Sequence, residues 1–583
     1  MNNYTGSDLV ADFIAKNLSS KVFLVTGGAC AFIVDSIGRH KKIDYVCFQH
    51  EQAAAMAADA AWRTTGKLGV TVATSGPGAT NLITGIACSW FDSIPSFHIT
   101  GQVNEIESKE KLRANVRQAG FQETDIVAIV KPITKWAKKI KTIEDLAHSL
   151  PEAFEAAIEG RMGPVLIDIP MNIQKTKVSP KLKAIALRSI TTVSNSPKES
   201  KIISRFFNKS SRPLVLIGAG AGLAGSATLI QNWCEKNSIP YVTSWGAISY
   251  IDRSKNNYQG SIGVYGSRHA NWTVQSADKI LVLGSRLDNR QRTGNPKAFA
   301  PFAELLVIDV DNEELKKYKH QSNISTVSQN LAEVSNILAI KCNDKFVKWN
   351  KTLSDNQKEM VSGFSASSKS RSLNPYDAVI KIQEKFKKNS LVVSDCGANL
   401  CWVYQAFKPD SSYLFTAGGN SPMGYSLPAA IGAKLLNPKT EVYCFIGDGG
   451  MQMNIQELQT IQNYNLNVKI FIQNNFGYGI IKQFQDAYFQ GRYFASGEGY
   501  SQPDFKKIAG AYEIEYNLIK SIRDIGEIKF TSNAQIFDLF LSPDSLITPK
   551  TEMDRFIHDQ FPYVADKSIS RLPYNYPARP SQL

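Results

Sequence analysis

A chain of 583 residues, 43% apolar and 20% charged, holds enough core material for about three domains. No apolar run reaches membrane-span length, and MNNYTGSDLVADFIAKNL at the start is acidic and amphipathic without the layout of a secretory signal. A cytoplasmic protein with no membrane partner is therefore expected. The formal charge of +14 raises nucleic acid as a partner, but the lysines are dispersed and form no stripe with aromatics. A solvated basic surface and no nucleic-acid partner are expected, and an anionic small substrate suits the charge.

The first block alternates strand and helix signals, with strand-like runs KVFLV, IDYVCF, LGVTVAT, PSFHITG and GPVLIDIP. A Ser/Lys-rich passage, TVSNSPKESK (192–201), reads as a linker. A second α/β block carries RPLVLIGAGAG (212–222), DKILVLGSR (278–286) and ELLVIDVD (304–311), and polar sequence dominates from 341 to 374. A third block runs from NPYDAVIKI (374–382) to about 545, ahead of a tail rich in proline and aromatics that is expected to wrap the body. The expected fold is α/β, with three doubly wound parallel-sheet domains at 1–185, 198–342 and 372–545 and a tail at 546–583. The eight cysteines (30, 47, 88, 234, 342, 396, 401 and 444) form no CxxC pair and read as reduced, largely buried thiols.

Within the third block, GDGGMQMNIQELQTIQNYNLNVKIFIQNN (447–475) follows the strand EVYCFI. Met451, Ile455, Leu458 and Ile461 recur at helical intervals, and VKIFI reads as a second strand. A strand–helix–strand crossover makes the two strands parallel, so Asp448 and Asn475 fall just past their carboxyl ends, where open α/β sheets bind ligands. Asp448 offers a hard anionic oxygen and Asn475 an amide oxygen, which suits Mg²⁺ completed by water and phosphate. The glycine turn from Gly447 to Gly450 leads into a helix N-terminus that favours phosphate. A plain crossover, with the aspartate capping its helix, fits the same spacing.

The GDG…NN frame resembles the thiamine diphosphate fingerprint, and longer motifs extend that resemblance across the chain. HEQAAAMAADAAWRTTGKLGV (50–70), TSGPGATNLITGIACSWFDSIPSFHITGQV (74–103), FQETDIV with KPITKWA, ADKILVLGSRLDNRQRTG (277–294) and PMGYSLPAAIGA (422–433) resemble acetolactate synthase. The resemblance implies thiamine diphosphate and Mg²⁺, with the ion on Asp448, Asn475 and the carbonyl of Gly477. It implies Glu51 on the aminopyrimidine nitrogen, Met423 beneath the bent cofactor, and Phe121 and Gln122 on the catalytic side. Gly28, Gly424, Gly447, Gly449, Gly450 and Ile480 would line the cofactor. Plainer roles exist for two of these: a carboxylate favoured by a helix N-terminus for Glu51, and core packing for Met423.

In the middle block GAGAGLAG (218–225) reads equally as a nucleotide-binding or a structural turn. The likeness of GSRLDNRQRTG and VIDVD to flavin-contacting segments implies FAD, in a structural rather than a redox role, near Gly220, Arg286 and Asp309. The resemblance also implies pyruvate as donor, a second small-molecule acceptor, and a homodimer as the minimum unit, with a tetramer compatible. The chain has no adjacent histidine pair of the kind that serves aldehyde-releasing decarboxylases, which favours carboligation. His98, inside PSFHITG, reads as a core histidine.

Departures from the biosynthetic pattern cluster on the acceptor side: VTGGACAF near the start, Met171 in DIPMN, Phe484 in KQFQ, and AGGNSP before Met423. The VTGGA loop, VRQAGFQETDIV and the tail FDLFLSPDSLITPKTEMDRFIHDQFPY resemble thiamine enzymes of surface-polysaccharide biosynthesis, which makes a keto-sugar nucleotide the alternative acceptor. A catalytically silent relative is the competing class, and the intact Glu51, Asp448 and Asn475 stand against it.

Overall fold

The computed structural model describes residues 4–110, 112–113, 115–190, 202–336, 338, 346–360, 373–563 and 572–574. The expected linker 192–201, the boundaries at 198, 342 and 372, Cys342, and the tail segments 564–571 and 575–583 lie outside them. Two compact units result, one from 1–193, 385–400 and 414–544, the other from 194–384, 401–413 and 545–583.

The first unit holds two six-stranded sheets. One comprises β1 (Lys21–Leu24), β2 (Asp44–Cys47), β3 (Gly69–Ala73), β4 (Ser96–Gln102), β5 (Trp136–Lys139) and β6 (Val165–Pro170). The central strands β3, β4 and β6 are buried at every position, as apolar runs in a parallel sheet covered on both faces must be. In the second unit lie β7 (Pro213–Ile217), β8 (Tyr241–Thr243), β9 (Tyr258–Ser261), β10 (Lys279–Leu283), β11 (Glu304–Asp309) and β12 (Ile324–Ser328). The first unit's other sheet follows: β13 (Leu391–Ser394), β14 (Tyr413–Phe415), β15 (Val442–Gly447), β16 (Val468–Asn474), β17 (Glu515–Ile519) and β18 (Gln535–Phe540). Its order, β14-β13-β15-β16-β18-β17, repeats the winding of the first sheet, β2-β1-β3-β4-β6-β5.

These two sheets are joined through an alanine-rich helix, Glu51–Thr65, against the helices Ile83–Asp92 and Ser426–Leu436. Small residues let the backbones approach closely. A Cβ on Gly85 would lie 2.3 Å from Ala55 Cβ, and one on Gly432 would lie 2.6 Å from the Ala57 carbonyl oxygen. The fully buried Asp59 of this helix is paired on both oxygens, as burial demands. Asp59 accepts from Arg63 Nε at 2.6 Å, Ser89 Oγ at 3.0 Å and Tyr425 Oη at 2.5 Å.

His98, in β4, is fully buried, with Nδ1 2.8 Å from Thr71 Oγ1 and Nε2 2.9 Å from Ser96 Oγ. Desolvation lowers its pKa from the usual 6.5 to about 3, so the neutral ring belongs to the folded state. Its stabilisation is complete above pH 6.5 and is lost progressively as pH falls toward 3. Between pH 7 and 4.5 this costs wild type about 2–3 kcal/mol that a His98→Gln chain does not lose. Urea midpoints of both proteins at the two pH values check the difference.

The second unit's sheet runs β12-β11-β10-β7-β8-β9, which from its other edge is the 3-2-1-4-5-6 dinucleotide-fold order. The polar passage contributes a helix, Val347–Met360, because Phe346, Trp349 and Leu353 share one buried face. Tail residues enter this unit's core. Ile557 is fully buried among Leu214 and Val282, and its carbonyl accepts from Asn271 Nδ2 at 2.8 Å. All seven described cysteines are free, five of them buried. Among the described residues no helix is long and apolar enough to cross a membrane.

Candidate active site

The strands β13, β15 and β16 deliver Asp395, Asp448 and Asn475 to one carboxyl edge of the third sheet. The single helix expected after the glycine motif is two, Asp448–Met453 and Leu458–Asn463, joined by a 3₁₀ turn at Ile455–Glu457. The break falls at Asn454 (φ −134°, ψ 30°), whose Nδ2 donates to the Gly424 carbonyl at 2.8 Å. A short amide side chain offers the chain this alternative to continued helix.

Gly447, not Asp448, is the N-cap of the first helix, so the aspartate is not spent on capping. Asp448 is 2% exposed, and its Oδ2 accepts from Gly477 N at 3.1 Å and Tyr500 Oη at 2.8 Å. Burial raises its carboxyl from 3.8 to about 6, opposed by those two donors. Asn475 is buried, and its Nδ2 finds no acceptor among the described residues.

Asp395 holds the turn that carries Met423. Its carboxylate accepts from Gly424 N at 3.0 Å and Ser426 N at 3.2 Å, and burial lifts it to about 6. Gly424 has φ +82°, and a Cβ there would lie 2.6 Å from Met453 Cβ. The Met423 methyl reaches the motif: a Cβ on Gly449 would meet it at 3.2 Å and the Tyr478 ring at 2.6 Å. Gly450 packs on Asp395, while Gly447 meets only Asn399, at 4.0 Å. Ile480 is half-buried on the helix Gly479–Phe489 beside Gly397. A cavity of about 610 Å³ opens beside this group, lined by Gly449, Gln452, Met453, Tyr478, Tyr500 and Ser501 among others.

The first sheet carries the remaining candidates of this unit. Glu51 is the first residue of its helix, capped by His50, and is 8% exposed. Its Oε2 accepts from Asn81 Nδ2 at 3.0 Å, and a Cβ on Gly78 would lie 3.2 Å from Oε1. Gly28 faces open space. Gln122 holds φ +61° against Gly76, and Phe121 is 84% exposed, so neither side chain is packed into the Asp448 group in this chain.

In the second unit Gly220 and Arg286 follow β7 and β10, and Asp309 ends β11, at and beside the point where the strand order reverses. Gly220 N already donates to the Gly284 carbonyl at 2.9 Å, and a Cβ there would sit 2.9 Å from the same oxygen. That glycine is accounted for by two loops in close approach. The Arg286 guanidinium lies 3.8 Å from Asp288, and Asp309 Oδ1 accepts from Asp311 N at 2.9 Å.

The chain matches three family models: the N-terminal TPP binding domain of thiamine pyrophosphate enzymes at residues 4–129, their central domain at 201–333, and their C-terminal TPP binding domain at 395–530. The acetolactate synthase large subunit of Pyropia yezoensis is 33% identical over 88% of this chain and 87% of its own length. This chain belongs to the thiamine pyrophosphate enzymes of the acetolactate synthase family. The Lactococcus lactis large subunit is 31% identical over 94% of both chains, and Escherichia coli isozyme 1 is 31% identical over 88% and 89%.

In this thiamine pyrophosphate enzyme the structure also places around these motifs residues that sequence reading missed. Asp395 follows the apolar run LVVS and stands two residues before Gly397, a signal that was available, whereas Tyr500 lies in the turn-rich GEGYSQP, where nothing marks it. Glu457, in QEL, is fully buried and accepts from the backbone of Gln49 and from Thr460; burial raises it to about 7.

Proposed function

We propose that the chain decarboxylates pyruvate and transfers the two-carbon unit to an acceptor, with Mg²⁺ and the cofactor diphosphate at the Asp448 edge. The observation that carries this reading is the convergence of Met423, Gly449, Asp448, Gly477 and Asn475 on the carboxyl ends of neighbouring parallel strands. The residues fit the groups. A cation would offset the burial that raises Asp448, and a phosphate oxygen would accept from the unpartnered Asn475 Nδ2. Asp448, Asn475 and the Gly477 carbonyl would hold the ion. Thiamine diphosphate, when bound, supplies the nucleophilic carbon and the electron sink for decarboxylation.

The protein's share is orientation, proton management and water exclusion. Glu51 would hold a proton at the aminopyrimidine nitrogen, with Asn81 fixing its carboxylate. Met423 would shape the cofactor from below, and Phe121 and Gln122 would meet the substrate. Glu51 and Asp448 are proposed to act in opposing subunits, so a homodimer is the minimum unit. FAD in the second unit is proposed on Arg286 and Asp309 alone, because Gly220 is committed to Gly284; no step is routed through it. Flavin absorbance of the purified protein tests that site.

A keto-sugar nucleotide is the second acceptor reading. It rests on the departures at Met171, which starts a short helix directly after β6, and Phe484, whose ring is 37% exposed. Specificity is a difference in transition-state binding that a few such residues can shift. Incubation with thiamine diphosphate, Mg²⁺ and pyruvate, with and without keto-sugar nucleotides, followed by mass analysis, separates the two. Acetolactate alone supports the first reading and a branched sugar the second; no pyruvate consumption refutes both.

A further inference from the structure

The segment that follows the Asp448–Met453 helix does more than close a crossover. It reaches the strand β2 and the turn that leads into the Glu51–Thr65 helix at several backbone points. Tyr464 Oη accepts from Cys47 N at 2.8 Å. Glu457 accepts from Gln49 N through both carboxylate oxygens, at 3.2 and 3.3 Å, and the His50 N–H also bears on it. Thr460 Oγ1 donates to Glu457 Oε2 at 2.6 Å and fixes its orientation. Asn454, one end of the same segment, bonds the Gly424 carbonyl and approaches Met56 Sδ at 3.7 Å.

A fully buried carboxylate that takes two successive backbone N–H groups is an expensive way to hold an ordinary turn. Those N–H groups belong to the residues immediately before Glu51. Glu457 has no path to the substrate of its own, being fully buried, so its effect must pass through what it holds.

We propose that Glu457, supported by Tyr464, is the positioning residue for Glu51, pinning the turn ahead of it to the same strand–helix element that carries Asp448. The metal carboxylate and the activating carboxylate of one chain are thereby registered by a single rigid piece. This rests on the thiamine reading of Glu51 given above.

The test is the rate of deuterium exchange at C2 of thiamine diphosphate bound to the full-length protein with Mg²⁺, followed by acid quench and proton NMR. Cofactor affinity is measured in parallel by tryptophan fluorescence. Glu457→Gln places an amide N–H₂ against the Gln49 N–H in one orientation and weakens the grip on the turn in the other. Exchange in Glu457→Gln should slow on the order of 10²-fold, the scale of a misplaced catalytic group, while cofactor affinity stays within roughly threefold. Tyr464→Phe, which keeps the ring and loses the bond to Cys47 N, should slow exchange roughly threefold to tenfold.

Normal exchange in both variants overturns the proposal, as does a loss of cofactor affinity that parallels the loss of exchange. If Glu457→Gln does not fold, normal exchange in Tyr464→Phe is sufficient to overturn it. Glu51→Gln is the control. If that variant exchanges like wild type, or wild type binds no thiamine diphosphate, the role of Glu51 falls and the proposal with it. Slow exchange in Glu51→Gln beside normal exchange in Glu457→Gln sinks the positioning role alone.

Discussion

Glu51→Gln should lower pyruvate turnover by on the order of 10²–10⁴-fold, the range for a lost acid–base contribution. Glutamine keeps the side-chain length and can still accept from Asn81, so the first turn of the helix should survive the change. What it cannot do is hold or release a proton at the aminopyrimidine nitrogen. The loss should therefore appear in kcat, with cofactor affinity changed little. Steady-state carbon dioxide release, with fluorescence titration of thiamine diphosphate, checks both parts. Full turnover in the cofactor-loaded variant would remove Glu51 from the chemistry.

Asp448→Ala should fail earlier, at cofactor retention. Asp448 is the buried anion at the end of β15, and its removal leaves the proposed ion with an amide and a carbonyl. Losing a hard anionic ligand from a Mg²⁺ site with so few protein ligands should weaken metal-dependent cofactor binding at least about 10²-fold. It also leaves Tyr500 Oη and Gly477 N without their acceptor, so part of the glycine-rich turn should loosen. Isothermal titration with Mg²⁺ and thiamine diphosphate reads the first effect. Unaltered metal dependence in Asp448→Ala would mean that the diphosphate binds elsewhere.

Much of this was legible in the residues because each signal had a local physical cause. Apolar runs such as VLIDIP and VKIFI can only be strands covered on both faces, and the structure buries them throughout. The alanine density after Glu51 announced a helix that something packs against closely, without naming Gly85 and Gly432 as the partners. His98 was readable as a core residue because it sits inside an apolar strand. The break at Asn454 was not, since the helical period of Met451, Ile455, Leu458 and Ile461 continues across it. Tyr500 and the grip of Glu457 on Gln49 were invisible for a related reason. They join residues distant in the chain, and no spacing rule encodes such contacts. For the second unit's glycine cluster composition left two readings level, and the bond from Gly220 N to the Gly284 carbonyl, a contact between loops that no spacing encodes, supports the structural one.

The first and third sheets share one strand order, and each places a candidate carboxylate past the carboxyl end of one of its strands. On the shared plan, Glu51 follows the second strand and Asp448 the third. Under the proposed roles, one blueprint used twice has specialised by position: one copy keeps a proton-handling carboxylate, the other an anchoring one. Their amino-terminal rims carry none of this apparatus, so that is where insertions and fusion tags should be borne with least harm to turnover.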